Sequence, residues 1–189
     1  MEDGEKQAIQ KCQQGDVEEF GVLYDKYIKK IYNFVYYKTL HKETAEDITS
    51  LVFTKALEKI GTFRVKDGYF SAWLHQIARH TVIDHYRTQK KEKDIEDVWD
   101  LSSNEDIERD ADARAQLEKV EKYLKKLSSE QRDIIIMRLW QDMPHAQIAQ
   151  ALGKSESAVK VAYSRAMKDL RKNADILILL FVFLSSVCR

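Results

Sequence analysis

Apolar residues return at helical intervals along most of the chain. After a break at Gly15-Asp16, with Asp16 a candidate N-cap, Phe20, Leu23, Tyr24, Tyr27, Ile31 and Phe34 recur at the spacing that places side chains on one helix face. A second helix is expected to carry Ile48, Val52, Phe53, Ala56 and Ile60 on one face. Thr44 is its candidate cap, Asp47 a weak capping-box partner three residues on, and Gly61 its stop. A third helix starts at Phe70 or Ser71 and runs through Trp73, Leu74, Ile77, Ala78 and Ile83 to about Arg87. Residues 62–69 form a short basic, aromatic loop between the two.

The same period returns further on. Leu117, Val120, Leu124 and Leu127 form one stripe, which Ser128-Ser129 ends while capping a helix with Ile134, Ile135, Met137 and Leu139. Two more helices are expected to start near His145 and Ser155. Between the segments, residues 88–112 are acidic and carry few apolar side chains beyond Val98, Trp99 and Leu101, the composition of a linker. The expected fold is all-α: two small helical domains, 6–89 and 113–173, joined by a flexible acidic linker, 90–112, the second domain a helix-turn-helix. The tail, 174–189, contains a nearly unbroken apolar run that is short for a membrane span. It is expected to be helical and at least partly buried, and not to read DNA.

Composition agrees with helices: one proline and six glycines in 189 residues leave few turn residues for a sheet protein. The formal net charge of zero hides an uneven distribution. Residues 61–91 are basic, 92–114 strongly acidic and 144–173 basic again, which suggests two separate contacts with a polyanion. Cys12 and Cys188 are far apart and make neither a disulfide framework nor a CxxC metal site. A polar, charged N-terminus carries no secretory signal, so a cytoplasmic protein is expected.

The strongest local signal begins at His145: HAQIAQALGKSESAVKVAYSRAMKDLRK. A helix-turn-helix needs a small residue where its helices touch, glycine in the turn and apolar residues on the inner face. Ala149 and Gly153 meet the first two needs, and Ile148, Leu152, Val159 and Ala162 the third. Ser155 can cap the second helix and Glu156 suits its dipole. With Val159, Ala162, Tyr163, Ala166 and Leu170 inward, Ser157, Lys160, Ser164, Arg165, Lys168 and Arg171 face outward, as a helix entering a major groove requires. The bland alternative is an amphipathic hairpin with a solvated basic face.

In a second constellation, Phe63, Tyr69, Phe70 and Trp73 alternate with Arg64, Lys66, Arg79 and Arg87. Aromatic faces stack on unpaired bases while cations follow phosphates. Core packing of Phe70, Trp73 and Leu74 explains the same aromatics equally well. His75, His80 and His85 are five apart and do not stack on one helical face as metal ligands would, so a solvated or phosphate-facing role is expected for them and no metal. HExxH, a nucleotide-binding glycine loop, a GxSxG elbow and a cysteine–histidine dyad are absent. No catalytic residue and no cofactor are expected.

Taken together, residues 14–171 resemble a bacterial RNA polymerase sigma factor of the extracytoplasmic-function class. AEDITSLVFTKALEKI, from Ala45, is similar to the family's polymerase-binding helix, which implies core-polymerase contacts for Asp47 and Phe53. FSAWLHQIARHTVIDHYR, from Phe70, is similar to the helix that reads and melts the minus-ten element, with Trp73, Arg79 and Asp84 matching its signature. Residues 62–69 occupy the place where this class captures a flipped base. Minus-ten contacts are implied for Phe63, Arg64, Lys66, Tyr69, Trp73, Arg79 and Arg87. The segment from Leu124 to Lys172 resembles the module for the minus-thirty-five element, implying contacts by Lys154, Ser155, Ser157, Lys160, Ser164, Arg165 and Lys168. The sequence departs from the pattern at Ser50-Leu51, His80, Ser128 and the apolar tail.

The resemblance implies core RNA polymerase and promoter DNA as partners, allows an anti-sigma factor, and implies no small-molecule substrate. Two other classes stand beside it: a stand-alone helix-turn-helix regulator with an N-terminal sensor or dimerisation domain, and a nucleic-acid-processing enzyme using the histidines and Asp84.

Overall fold

A computed structural model describes residues 2–89, 124 and 126–171, which are helical with no strand. The acidic segment around Trp99 and the apolar tail lie outside the described residues. The chain divides into two compact units, the first holding residues 2–89 and the second most of residues 124–171.

In the first unit, α1 spans Asp3–Gln13, α2 Phe20–Thr39, α3 Lys42–Lys59 and α4 Phe70–Gln89. Helices α2, α3 and α4 pack pairwise, and α1 lies against α2. Their apolar stripes meet in a core that includes Leu23, Ile31, Phe34, Val52, Phe70 and Leu74. The carboxylate of Glu5, itself buried, holds α1 to α2: Lys26 Nζ donates to it at 2.7 Å and the Tyr27 hydroxyl at 3.1 Å. Burial and the neighbouring Glu5 charge both push the Tyr27 hydroxyl pKa up, so it remains a donor.

Two expected caps are corrected. Asp16 makes no side-chain cap; a 3-10 turn, Val17–Glu19, leads into α2 instead. Thr44 does not cap α3. That helix starts earlier, at Lys42, and the Nδ1 atom of His41 accepts from the Thr44 amide at 3.2 Å. The reason lies one residue upstream, where Leu40 closes α2 in the left-handed region (φ 54°) and its amide donates to the Tyr36 carbonyl at 2.7 Å. A one-residue reversal leaves His41 as the first residue able to cap. Beyond Lys59 the helix tightens into a 3-10 turn, Ile60–Thr62, that contains Gly61.

In the second unit, α5 spans Ser129–Ile135 and continues as a π-helical turn, Ile136–Trp140; α6 spans His145–Leu152 and α7 Glu156–Arg171. Ser128 caps α5 through a full capping box: its Oγ accepts from the Gln131 amide at 3.2 Å, and its own amide donates to Gln131 Oε1 at 3.0 Å. Helix α5 packs on α7. Leu124, Leu127, Ile135, Ala166 and Leu170 form the apolar cluster, with Leu139, Trp140, Tyr163 and Met167 against it.

Candidate nucleic-acid interface

The helix-turn-helix is built as its sequence requires. At the end of α6 the Gly153 amide donates to the Gln150 carbonyl at 3.2 Å, and the Lys154 amide donates to the Ala149 carbonyl at 2.9 Å. This pair of reverse bonds closes the helix and needs a left-handed residue, which Gly153 supplies at φ 64°. Ser155 Oγ then accepts from the Ala158 amide at 3.2 Å and caps α7. Val159, Ala166 and Leu170 are buried, with Ala162 and Tyr163 half-buried. Lys154, Ser155, Ser157, Lys160, Ser164, Arg165, Lys168 and Arg171 are all exposed. The inward and outward sets are those expected from the spacing.

Between Ser157 and Ser164 the same outward face carries Val161, 50% exposed, which the sequence reading left out. Lys160 pairs with Glu156 one turn earlier at 2.6 Å, and this pairing holds the Glu156 pKa below the usual carboxylate range. An exposed pair of this kind is weak and easily exchanged for a phosphate or a base edge. The His145 ring meets Tyr163 edge-on at 5.3 Å, joining the start of α6 to α7.

Arg132 supports this module from beneath, a role the sequence reading missed. It is 3% exposed, and its guanidinium donates to the carbonyls of Leu124 at 2.9 Å and Leu127 at 3.1 Å. Burial pushes its pKa down to about 10 while the Asp133 charge opposes, so it stays cationic at neutral pH. Its place on the buried face, three residues before Ile135, was the available signal.

In the first unit, the basic loop is anchored at its base. Gln13 Nε2 donates to the carbonyls of Ile60 at 2.9 Å and Phe63 at 2.6 Å. Phe63 is 4% exposed and packs edge-on against Phe70 at 5.4 Å, with Trp73 at the same distance. Phe63 is therefore a core residue and not a stacking surface. Composition cannot say which aromatic of a loop turns inward, and Phe63, just after the Ile60–Thr62 turn, packs its ring onto the start of α4. Arg64, Lys66 and Tyr69 are exposed, and Gly68 beside Tyr69 takes φ 140°, a backbone region open to glycine. Along α4, Trp73 and Arg79 are half-buried and Arg87 is exposed.

On α3, Asp47 is exposed together with Ser50, Leu51 and Thr54. Phe53 points the other way: it is buried, with the Tyr24 ring at 4.8 Å and the Phe20 ring at 6.4 Å. It therefore offers a partner no open surface and supports the helix from within.

One of the three histidines is corrected too. His75 is buried, donates from Nδ1 to the Ser71 carbonyl at 2.7 Å and meets the Phe34 ring edge-on, so it is neither solvated nor phosphate-facing. His80 is exposed. His85 is half-buried, and burial lowers its pKa while Asp47 opposes. No cluster of three or more metal-ligating residues occurs among the described residues, and no described helix is long and apolar enough to cross a membrane.

This arrangement agrees with the comparisons. Residues 23–92 match the model for sigma-70 region 2 and residues 117–170 that for sigma-70, region 4. The ECF RNA polymerase sigma factor SigX of Bacillus subtilis is 33% identical over 85% of this chain and 86% of its own length. The ECF RNA polymerase sigma factor BldN of Streptomyces coelicolor is 33% identical over 87% of this chain, which spans 63% of BldN. The solved structure of CnrH in complex with the cytosolic domain of CnrY shares the fold, with a TM-score of 0.68 at 23% identity over 95% of this chain and 99% of that one. The chain belongs to the extracytoplasmic-function class of RNA polymerase sigma factors, the subunits that direct the polymerase to promoters.

Proposed function

We propose that the two units divide promoter recognition between them. In this reading the second unit binds the minus-thirty-five element through α7, with Lys154, Ser155, Ser157, Lys160, Ser164, Arg165 and Lys168 against the DNA. The first unit contacts core polymerase through the exposed face of α3 around Asp47. It holds the opened minus-ten strand with Arg64, Lys66, Tyr69, Trp73, Arg79 and Arg87, while Phe53 and Phe63 keep those surfaces in place from the core. The observation that carries the reading is the outward row on α7, whose polar and basic side chains are all exposed on a helix fixed by the Ser155 cap and the Gly153 turn. Such a face reads base edges and neutralises phosphates.

The protein acts by binding and strand capture, and the polymerase supplies the chemistry. It works in the cytoplasm, where its template is. CnrH was solved with the cytosolic domain of CnrY, and an anti-sigma factor is included here among the partners of this chain.

Promoter templates test the division of labour. Lys160→Ala and Arg165→Ala should weaken holoenzyme binding in a way that depends on the upstream element. Arg64→Ala and Tyr69→Ala should leave that dependence intact and lower permanganate reactivity of unpaired thymines. If both pairs of variants lose the same step, the units are not divided as proposed. Tight, site-specific binding by the free protein at physiological salt would favour the stand-alone regulator instead.

A further inference from the structure

We propose that Val161 reads the 5-methyl group of a thymine in the major groove of the upstream promoter element. The inference rests on the assignment of α7 to that element and adds a base identity to it. Val161 is 50% exposed, while Val159, two residues earlier on the same helix, is 1% exposed and supplies the core contact. Its neighbours one turn away, Ser157, Ser164 and Arg165, are exposed and polar. Local energetics give no reason for a valine there, because a β-branched residue slightly disfavours a helix and an exposed one buries nothing.

The groove supplies the reason. Base edges in the major groove present donors, acceptors and one apolar feature, the thymine methyl. A valine side chain has no hydrogen-bonding atom, so against any other edge it covers polar groups without replacing their bonds to water. Against thymine it removes two apolar surfaces from water together. Ser157 and Ser164 on either side are small, which lets the short valine side chain approach the base edge.

The test uses holoenzyme assembled from core polymerase and the full chain, on a promoter selected from a pool randomised in the upstream element. Each thymine of that element is replaced in turn by deoxyuridine, which removes the methyl and keeps the base pair. One replacement should lower promoter binding by the unaltered protein about fourfold, the effect of one methyl-sized group returned to water. Val161→Ala, a substitution that favours the helix, should lose about as much on the thymine template and then be indifferent to uracil at that position. The proposal is overturned if uracil affects both proteins equally at every position, or affects neither. Lys160→Ala and Arg165→Ala on the same templates separate the causes: if they still weaken binding, α7 keeps its assignment and only the Val161 role is lost. If they too are silent, the assignment of α7 itself fails.

Discussion

The side-chain amide of Gln13 donates to the main-chain carbonyl of Phe63 at 2.6 Å, and to that of Ile60 at 2.9 Å. Helix α1, which carries no candidate contact of its own, thereby fixes the base of the loop holding Arg64, Lys66 and Tyr69. Replacing Gln13 by Ala removes both bonds and should destabilise the first unit by about 1–2 kcal/mol. Permanganate reactivity at the minus-ten element should fall more than assembly with core polymerase. Unchanged opening at equal protein level would show that the loop does not depend on this anchor.

On α7, Lys160→Ala and Arg165→Ala should each weaken use of the upstream element. A lost base-edge contact costs about 1–3 kcal/mol and relaxes preference at one position, whereas a lost phosphate contact weakens every template alike. Binding measured across single-base promoter variants distinguishes the two, and output unchanged in both variants contradicts the assignment.

Arg132 bonds two carbonyls from a buried position. Arg132→Ala should therefore destabilise the second unit by about 1.5–3 kcal/mol, the range for hydrogen bonds involving a charged group. Thermal unfolding should show one transition lowered and the first unit's transition in place. A uniform small change would mean that the guanidinium is dispensable.

His145 predicts a pH effect. Burial lowers its pKa, Arg138 and Lys160 lower it further, and Glu156 opposes them. A base whose folded pKa is depressed takes up its proton in the unfolded chain first. Stability is therefore full above about pH 6.5 and declines as pH falls from there toward the folded value. Melting of the second unit should drop as pH falls below about 6.5, and His145→Gln should flatten that dependence. An equally steep profile in the variant would place the effect elsewhere.

Much of this was legible in the sequence wherever period and chemistry coincide. In α7, the buried and exposed residues follow directly from the helical spacing, and Gly153 and Ser155 mark the turn and the cap because each has a local conformational reason. The Asp16 and Thr44 caps failed because such signals are degenerate: His41 competes for the same amides, and its position depends on how Leu40 ends α2. His75 failed because its partners come from Ser71 and from Phe34 on another helix. The loop could be recognised as basic and aromatic, but its sidedness could not: Phe63 turns inward onto Phe70 and Trp73, with its carbonyl held by Gln13 from 50 residues away, while Tyr69 stays exposed. Gln13 was invisible because its partners are main-chain carbonyls 47 and 50 residues away, which leave no trace in residue type, whereas Arg132 left one signal, its place on the buried face.

The most direct measurement of the central claim is run-off transcription by core RNA polymerase on a library of genomic fragments, with and without this protein. The account predicts defined transcripts that appear only when the protein is present, from start sites sharing one upstream element and one minus-ten element. Start sites that are the same in both reactions, with the protein bound to DNA but not to polymerase, would contradict it.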